Sequence, residues 1–268
     1  MKTVFLSLLS AGVLASVALP YASKLAPKTS APTLPAAARV PVVVELFTSE
    51  GCSSCPAADA TLRELAATQP VSGVEIVALG EHVDYWNRLG WKDAYSSAQF
   101  TERQRQYAAR FGTGSYTPQA VVNGQTELVG SQRQKLAAAI AQAVTAPRAT
   151  IRLTRPNPTS IHVQVSSLPT GAKQSQVLLA LTERGLSSQV GRGENAGRLL
   201  RHAPVVRALR TVGTVDGAGS FAATVPLQLA AQWQAAEVRA VVLVQETASR
   251  RIVGAASLAV DAGADATP

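Results

Sequence analysis

The chain is poor in the residues that several kinds of dedicated chemistry require. Two cysteines in 268 residues exclude a scaffold held together by many disulfides. With only three histidines beside them, they also exclude a cysteine-rich structural zinc module. Aromatic residues make up 5% and charged residues 16%, and no dense basic run occurs. The formal net charge of +8 suggests a polyanion-binding surface until it is divided along the chain. Lys2, Lys24, Lys28 and Arg39 supply four of those charges in a stretch without acids, so the remaining 229 residues carry only +4. Nucleic acid is therefore not an expected partner. No glycine-rich phosphate loop and no Ser–His–Asp pattern stands out. Apolar residues, by contrast, make up 47%. They are spread evenly enough to exclude disorder over most of the length, and they suffice for one large domain or two small ones.

Lys2 precedes the apolar stretch Val4 to Leu19, the charged and apolar regions of a secretory signal. Its 16 residues fall short of the ~20 that a spanning helix needs. Ser16-Val17-Ala18 and Pro20-Tyr21-Ala22 are both small-residue cleavage sites, and no cysteine lies nearby for lipid attachment. Left uncleaved, the same segment would be an anchor and the only tie to a membrane. Either way the body of the protein is expected to be periplasmic or secreted. Residues 1–22 read as the signal, 23–39 as an Ala/Pro-rich linker, and 263–268 as a tail.

Residues 40–146 alternate strand and helix. Pro41 to Phe47 is a β-branched run that reads as a strand buried on both faces. Cys52 to Thr68 reads as a helix, Val74 to Leu79 as a second strand, and Ser97 to Phe111 as an exposed polar helix. Pro118–Val122 and Thr126–Val129 flank Asn123-Gly124, a hairpin signal, and Arg133–Val144 is a final helix. Residues 147–262 change texture. Alternating runs at 150–155, 160–166, 176–183, 220–226, 238–245 and 251–260 predict a mainly β, sandwich-like second domain. Arg184 to Thr214 reads as an extended loop between them, with some local structure of its own.

The chemical centre is Cys52-Ser53-Ser54-Cys55, at the junction of a buried strand and a helix. Thiols three residues apart in a first helical turn share a face and lie within reach of a disulfide. The helix N-terminus, with its unpaired N–H groups and positive dipole end, stabilises a thiolate. Cys52 is expected to be the exposed nucleophile with a lowered pKa, and Cys55 the sheltered resolving thiol. Pro56 is tolerated in a first turn. A static structural disulfide and a metal site are the competing readings of the same motif.

The segment Val44-Glu45-Leu46-Phe47-Thr48-Ser49-Glu50-Gly51-Cys52-Ser53-Ser54-Cys55-Pro56 resembles the signature of a family of secreted bacterial proteins of unknown function. His82-Val83-Asp84-Tyr85-Trp86, Leu89-Gly90-Trp91, Tyr116-Thr117-Pro118-Gln119 and Gly193-Glu194-Asn195 resemble further segments of that family, so the likeness runs from about residue 42 to 260. It implies a thioredoxin-like fold for the first half and lends no activity. It also implies that Thr117-Pro118 forms a cis-proline turn opposite the dithiol, lining a peptide groove.

Reactive groups gather at the carboxyl ends of parallel strands. The second strand should deliver His82 and Asp84 beside the cysteines, where His82 could lower the Cys52 pKa or relay a proton. Tyr85, Trp86 and Trp91 could form an aromatic platform for a peptide substrate, or simply pack over the sheet edge. Glu45 is the odd residue in an apolar strand, and a buried carboxylate is costly unless neutralised or paired. It could accept the Cys55 proton during resolution, or form a salt bridge with an arginine. Arg103, Arg105 and Arg110 read as a solvated helix face. Nothing organises His162 and His202 into a metal or catalytic triad, so no metal or cofactor is expected.

These residues point first to an exported thiol–disulfide oxidoreductase acting on protein thiols, protein disulfides or a redox partner. The alternatives are a Cu(I)-binding, metallochaperone-like module using the two thiolates and His82, or a non-catalytic protein stapled by a structural disulfide.

Overall fold

The computed structural model describes residues 39–172 and 174–261, together with Met1 and Thr3. The expected signal segment and tail, and the linker up to residue 38, lie outside this range apart from those two residues. Among the described residues no helix is long and apolar enough to cross a membrane.

The first half runs β1 (Val40–Thr48), α1 (Cys55–Thr68), β2 (Val74–His82), α2 (Ala98–Phe111), β3 (Gln119–Val122), β4 (Thr126–Val129) and α3 (Arg133–Ala143). β1 and β2 pair in parallel from Val40↔Val74 to Thr48↔His82. β3 joins β1 antiparallel and β4 joins β3. The hairpin turns at Asn123 and Gly124, whose φ values are 46° and 66°, the left-handed region that Asn-Gly supplies.

Side chains of β1 alternate between two cores. Val42, Val44 and Leu46 meet Leu62 and Leu65 of α1 and Leu136 and Ile140 of α3. Val43 faces the other way, towards Phe100 of α2. The start of α1 differs from the expectation: its first residue is Cys55, with Ser54 as N-cap. Proline fits only where its missing N–H would be unpaired. A helix begun at Cys52 would have placed Pro56 beyond its first turn. α2 also differs, because Phe100, Thr101, Arg103, Gln104, Tyr107 and Ala108 are buried on one side of it.

The second half contains β5 (Thr150–Asn157), β6 (Ser160–Ser166), β7 (Ser175–Glu183), β8 (Ser187–Gln189), β9 (Leu199–Arg201), β10 (Val205–Thr214), β11 (Phe221–Pro226), β12 (Val238–Glu246) and β13 (Ile252–Ala259). The stretch expected as an extended loop with some local structure holds β8 and β9, which pair as a small ribbon, but also the ten-residue strand β10.

β7, β10, β12 and β13 do not build a sheet of their own. They join the first half in one eight-stranded mixed sheet, ordered β13-β12-β7-β10-β2-β1-β3-β4. The seam lies where β10 meets β2 in parallel at Val205↔Gly80. Gly80 N–H donates to the Pro204 carbonyl at 2.7 Å, and a Cβ on Gly80 would stand only 3.0 Å from that oxygen. The expected boundary at 146/147 is therefore a change in sequence texture across which the sheet continues, because β10 covers what would be the open edge of β2. β5, β6 and β11 form a separate three-stranded sheet. It packs Ile161, Val163 and Val225 against Leu179, Leu181 and Val242 of the large sheet, which is the sandwich-like part. α2 lies over the opposite face, where Val77 and Leu79 of one half and Leu178, Ala180 and Leu243 of the other share a single core with Phe100. The fold is mixed α/β, with a large and mostly β sheet and few helices.

Candidate functional site

β1 and β2 end side by side, β3 begins at the same end opposite Phe47, and the His202-Ala203-Pro204 segment enters β10 there. Four connections thus converge at the carboxyl ends of the parallel pair, the usual place for a site in such sheets. The connection after β1 carries the cysteines. Cys52 and Cys55 are joined in a disulfide, with Cα atoms 5.4 Å apart. Cys55 is the first residue of α1, and Ser54 Oγ lies 3.3 Å from Cys52 Sγ.

Both cysteines are 1% exposed, so the expected exposure of Cys52 does not hold. The tip of the β8–β9 ribbon is bonded to the dithiol loop. Asn195 Nδ2 donates to the carbonyls of Glu50 at 2.8 Å and Cys52 at 3.0 Å, while its Oδ1 accepts from Arg198 at 2.6 Å. Glu194 Oε2 accepts the Ser53 N–H at 2.9 Å, and the Ser53 hydroxyl and N–H hold this exposed carboxyl below the usual range. The ribbon also packs on Trp91, whose Nε1 donates to Glu50 Oε2 at 2.6 Å. A Cβ on Gly191 would stand 3.3 Å from that indole.

Trp86 bridges the dithiol loop to the start of β3. A Cβ on Gly51 would meet Trp86 Cβ at 3.2 Å, and Trp86 Nε1 donates to Thr117 Oγ1 at 2.9 Å. The Thr117–Pro118 bond is cis. Tyr85 and Trp86 are half-buried against Phe47, Val83, Tyr107 and Val121. Burial pushes the Tyr85 hydroxyl above its usual pKa.

His82 sits at the end of β2 and is 1% exposed. Its Nδ1 pairs with Asp93 Oδ2 at 2.7 Å. Burial alone would lower the imidazole pKa, but Asp93, with Asp59 and Glu50 beyond it, outweighs burial and raises it. Burial in turn would raise Asp93, yet His82 and the N–H groups of Glu50 and Tyr95 bring it below the usual range. Neither nitrogen of His82 bonds a cysteine among the described residues. Asp84 does not join the cysteines either, since its carboxylate accepts from Thr101 Oγ1 at 2.5 Å. His202, which has no partner legible in the sequence, stacks edge-on against His82, with ring centroids 5.0 Å apart, and Tyr95 completes the trio. His162 is remote from this group and contacts Thr224 at 3.1 Å.

Glu45 belongs to a different cluster. It points from β1 towards α2, whereas α1 and Cys55 cover the other face of that strand. Arg103 Nε donates to Glu45 Oε1 at 2.5 Å, and the Tyr107 hydroxyl donates to Oε2 at 2.5 Å. Of the two expected roles the geometry supports the salt bridge, because a strand sends alternate residues to opposite faces. Arg103 is correspondingly buried at 7%, which corrects its reading as part of a solvated face. Glu81 lies 3.5 Å from Arg103 Nε. Burial first, and the neighbouring Glu45 second, hold its carboxyl well above the usual range.

A family model described as a protein of unknown function, DUF1223, matches residues 43–245. The chain belongs to that family. The DUF1223 match spans the dithiol, both buried histidines and the ribbon tip, so one family pattern covers both halves of the large sheet. An X-ray crystal structure of an Agrobacterium tumefaciens protein is similar to this DUF1223 chain at 30% identity and a TM-score of 0.67, covering 84% of this chain and 96% of that one. A domain of the outer membrane lipoprotein Omp28 from Porphyromonas gingivalis matches at 13% identity and a TM-score of 0.24, over 42% of this chain and 87% of that one, too distant to carry an argument. No curated protein matches.

Glu50, Asp59, Asp93, Asn195 and His202 of this DUF1223 protein are candidate site residues that the sequence did not single out. Glu50 and Asn195 fall inside segments that resemble the family, which was the available signal. Asp59 and His202 carried none.

Proposed function

We propose that the protein is an exported thiol–disulfide oxidoreductase whose first half is thioredoxin-like. The observation that carries this reading is the position of the Cys52–Cys55 disulfide, between the carboxyl end of the central strand β1 and the N-terminus of α1. The β2-β1-β3-β4 strand order with β3 antiparallel supports the thioredoxin likeness. Acting as a reductant, the Cys52 thiolate attacks a substrate disulfide, forms a mixed disulfide and releases one substrate thiolate. Cys55 then attacks Cys52 Sγ, re-forms the internal disulfide and releases the second thiolate. Acting as an oxidant, the protein runs the same steps in reverse. The helix N-terminus favours the thiolate form in both directions. Tyr85, Trp86, Thr117 and Pro118 would line the substrate side, with access depending on displacement of the ribbon tip.

Equilibration in graded glutathione buffers, followed by thiol trapping, tests the reading. The native pair should equilibrate reversibly. A potential near ~−120 mV marks a disulfide donor and one near ~−270 mV a reductant. The burial of both cysteines favours a second reading, a static staple, and a disulfide that resists reduction until the protein unfolds would establish it.

A further inference from the structure

We propose that His82, His202 and Asp59 form a binding site for one first-row divalent transition ion, with zinc(II) as the representative, beneath the dithiol loop. One donor atom from each lies within 4.8 Å of the other two. All three residues are buried, at 1%, 4% and 4% exposure respectively. Zn²⁺ binds imidazole nitrogen and carboxylate oxygen at about 2.0–2.2 Å, so short side-chain shifts would bring this set onto one ion.

Three observations point to an ion rather than to a packed polar cluster. His82 Nε2 is fully buried and has no hydrogen-bond partner among the described residues, while its Nδ1 is fixed by Asp93 at 2.7 Å. A carboxylate that orients one nitrogen and leaves the other free is the arrangement that metal-bound histidines adopt. Glu50 Oε1 is buried with no hydrogen bond among the described residues and with one charged neighbour, His202 Nε2 at 3.1 Å, which also contacts Ser188 Oγ at 3.3 Å. This oxygen is placed as a fourth donor. The third observation is charge. Glu50, Asp59 and Asp93 are all buried, and among the described residues Asp93 pairs only with His82, Glu50 only with His202, and Asp59 with no cation. Buried carboxyl groups are costly without compensation, and a divalent cation would supply it.

Asp59 is also held in place, accepting from Thr48 Oγ1 at 2.6 Å and from Ala203 N–H at 3.2 Å. A cavity of about 10 Å³ bordered by Glu50, Pro56, Asp59 and His202 adjoins the group and has room for about one water-sized body. The donor set contains two imidazoles and no sulfur, which suits zinc and its neighbours better than Cu(I). It draws on the loop after β1, on α1, on the end of β2 and on the segment before β10, so a bound ion would tie four separate parts of the chain together.

This inference does not rest on the redox reading, and its test keeps the disulfide intact so that the cysteines cannot bind. Untagged, chelator-treated full-length protein is titrated with Co²⁺ and separately with Zn²⁺. One equivalent should bind, with visible cobalt bands and no sulfur-to-cobalt charge transfer, and Zn²⁺ should raise the melting temperature. His202→Ala should weaken binding at least tenfold, and Asp93→Asn, which removes the negative charge beside His82 Nδ1, by roughly 10- to 100-fold. His162→Ala should leave it unchanged. No uptake by the oxidised wild type would overturn the proposal, whether or not any variant folds. Uptake only after reduction, with thiolate charge-transfer bands, would overturn it too by assigning the ion to the cysteines.

Discussion

Asn195 uses both ends of its amide to hold the ribbon over the dithiol, accepting from Arg198 and donating to the Glu50 and Cys52 carbonyls. Replacing it by alanine removes the donor from the Glu50 carbonyl and one of the two donors of the Cys52 carbonyl, which keeps Cys55 N–H at 3.2 Å, a loss of about 1–3 kcal/mol if the loop stays in place. The ribbon tip can avoid that loss by lifting, which uncovers Cys52. Asn195→Ala should therefore speed reduction of the native disulfide by dithiothreitol by roughly tenfold, equivalent to ~1.4 kcal/mol. A rate equal to wild type in a thiol-trapping time course would mean that the ribbon does not limit access. The placement of His82 and Trp86 at the carboxyl end of β2 was legible because strand ends can be read from β-branched runs and reactive loops gather there, whereas Thr117 came only from the resemblance to the family. Asn195 was not legible, since it reaches Cys52 across 143 positions and no local pattern records such a contact. Glu45 was legible as buried, but alternation along β1 leaves open which face a given helix will cover.

At the level of elements, α2 shows how a buried face can be hidden in polar residues. Ser97 at its N-cap and Gly112, with φ 69°, at its C-cap mark its ends as the sequence does. Its inward side, however, includes Arg103 and Gln104, which look solvated by composition. They are buried because they satisfy one another's neighbours. Arg103 bonds Glu45 of β1, and also Gln245 of β12 at 3.0 Å, while Gln104 bonds the Tyr116 carbonyl and Gln119. Removing Arg103 would strand Glu45 without its cation. Arg103→Ala should then cost about 3–5 kcal/mol, against less than about 0.5 kcal/mol for Arg105→Ala, whose side chain is 66% exposed. Urea denaturation of the two variants makes the comparison, and equal midpoints would remove Arg103 from the core. The same geometry revises what Glu45→Gln should do. It should weaken the tie between α2 and β1 and lower the urea midpoint, while leaving resolution of a mixed disulfide at the wild-type rate. Slowed resolution at unchanged stability would return Glu45 to the thiol chemistry.

Over the whole molecule, the two textures on either side of residue 147 were readable, but the way they join was not. The seam depends on one parallel bridge, Val205↔Gly80, and on a glycine that lets a carbonyl come close. A strand interrupted by arginines and two register shifts, as β10 is, looks like loop when read alone. Its consequences are large. A fragment of residues 39–146 would expose the edge of β2 and would strip Val43, Val77 and Leu79 of their contacts with Leu178, Ala180 and Leu243. It would also lack Asn195, which bonds the dithiol loop, and His202 of the group beneath it. Such a fragment should show no cooperative unfolding transition of its own. The full chain should unfold in a single step, with tryptophan fluorescence, reporting on Trp86 and Trp91 in one half and Trp233 in the other, superimposing on far-ultraviolet circular dichroism. Two separated transitions, or a fragment that folds alone, would mean that the halves are independent domains meeting at a weak edge. The site would then have to be understood as an interface. A single transition instead makes the dithiol loop part of one cooperative unit, in which opening the ribbon is a local event set against the stability of the whole sheet.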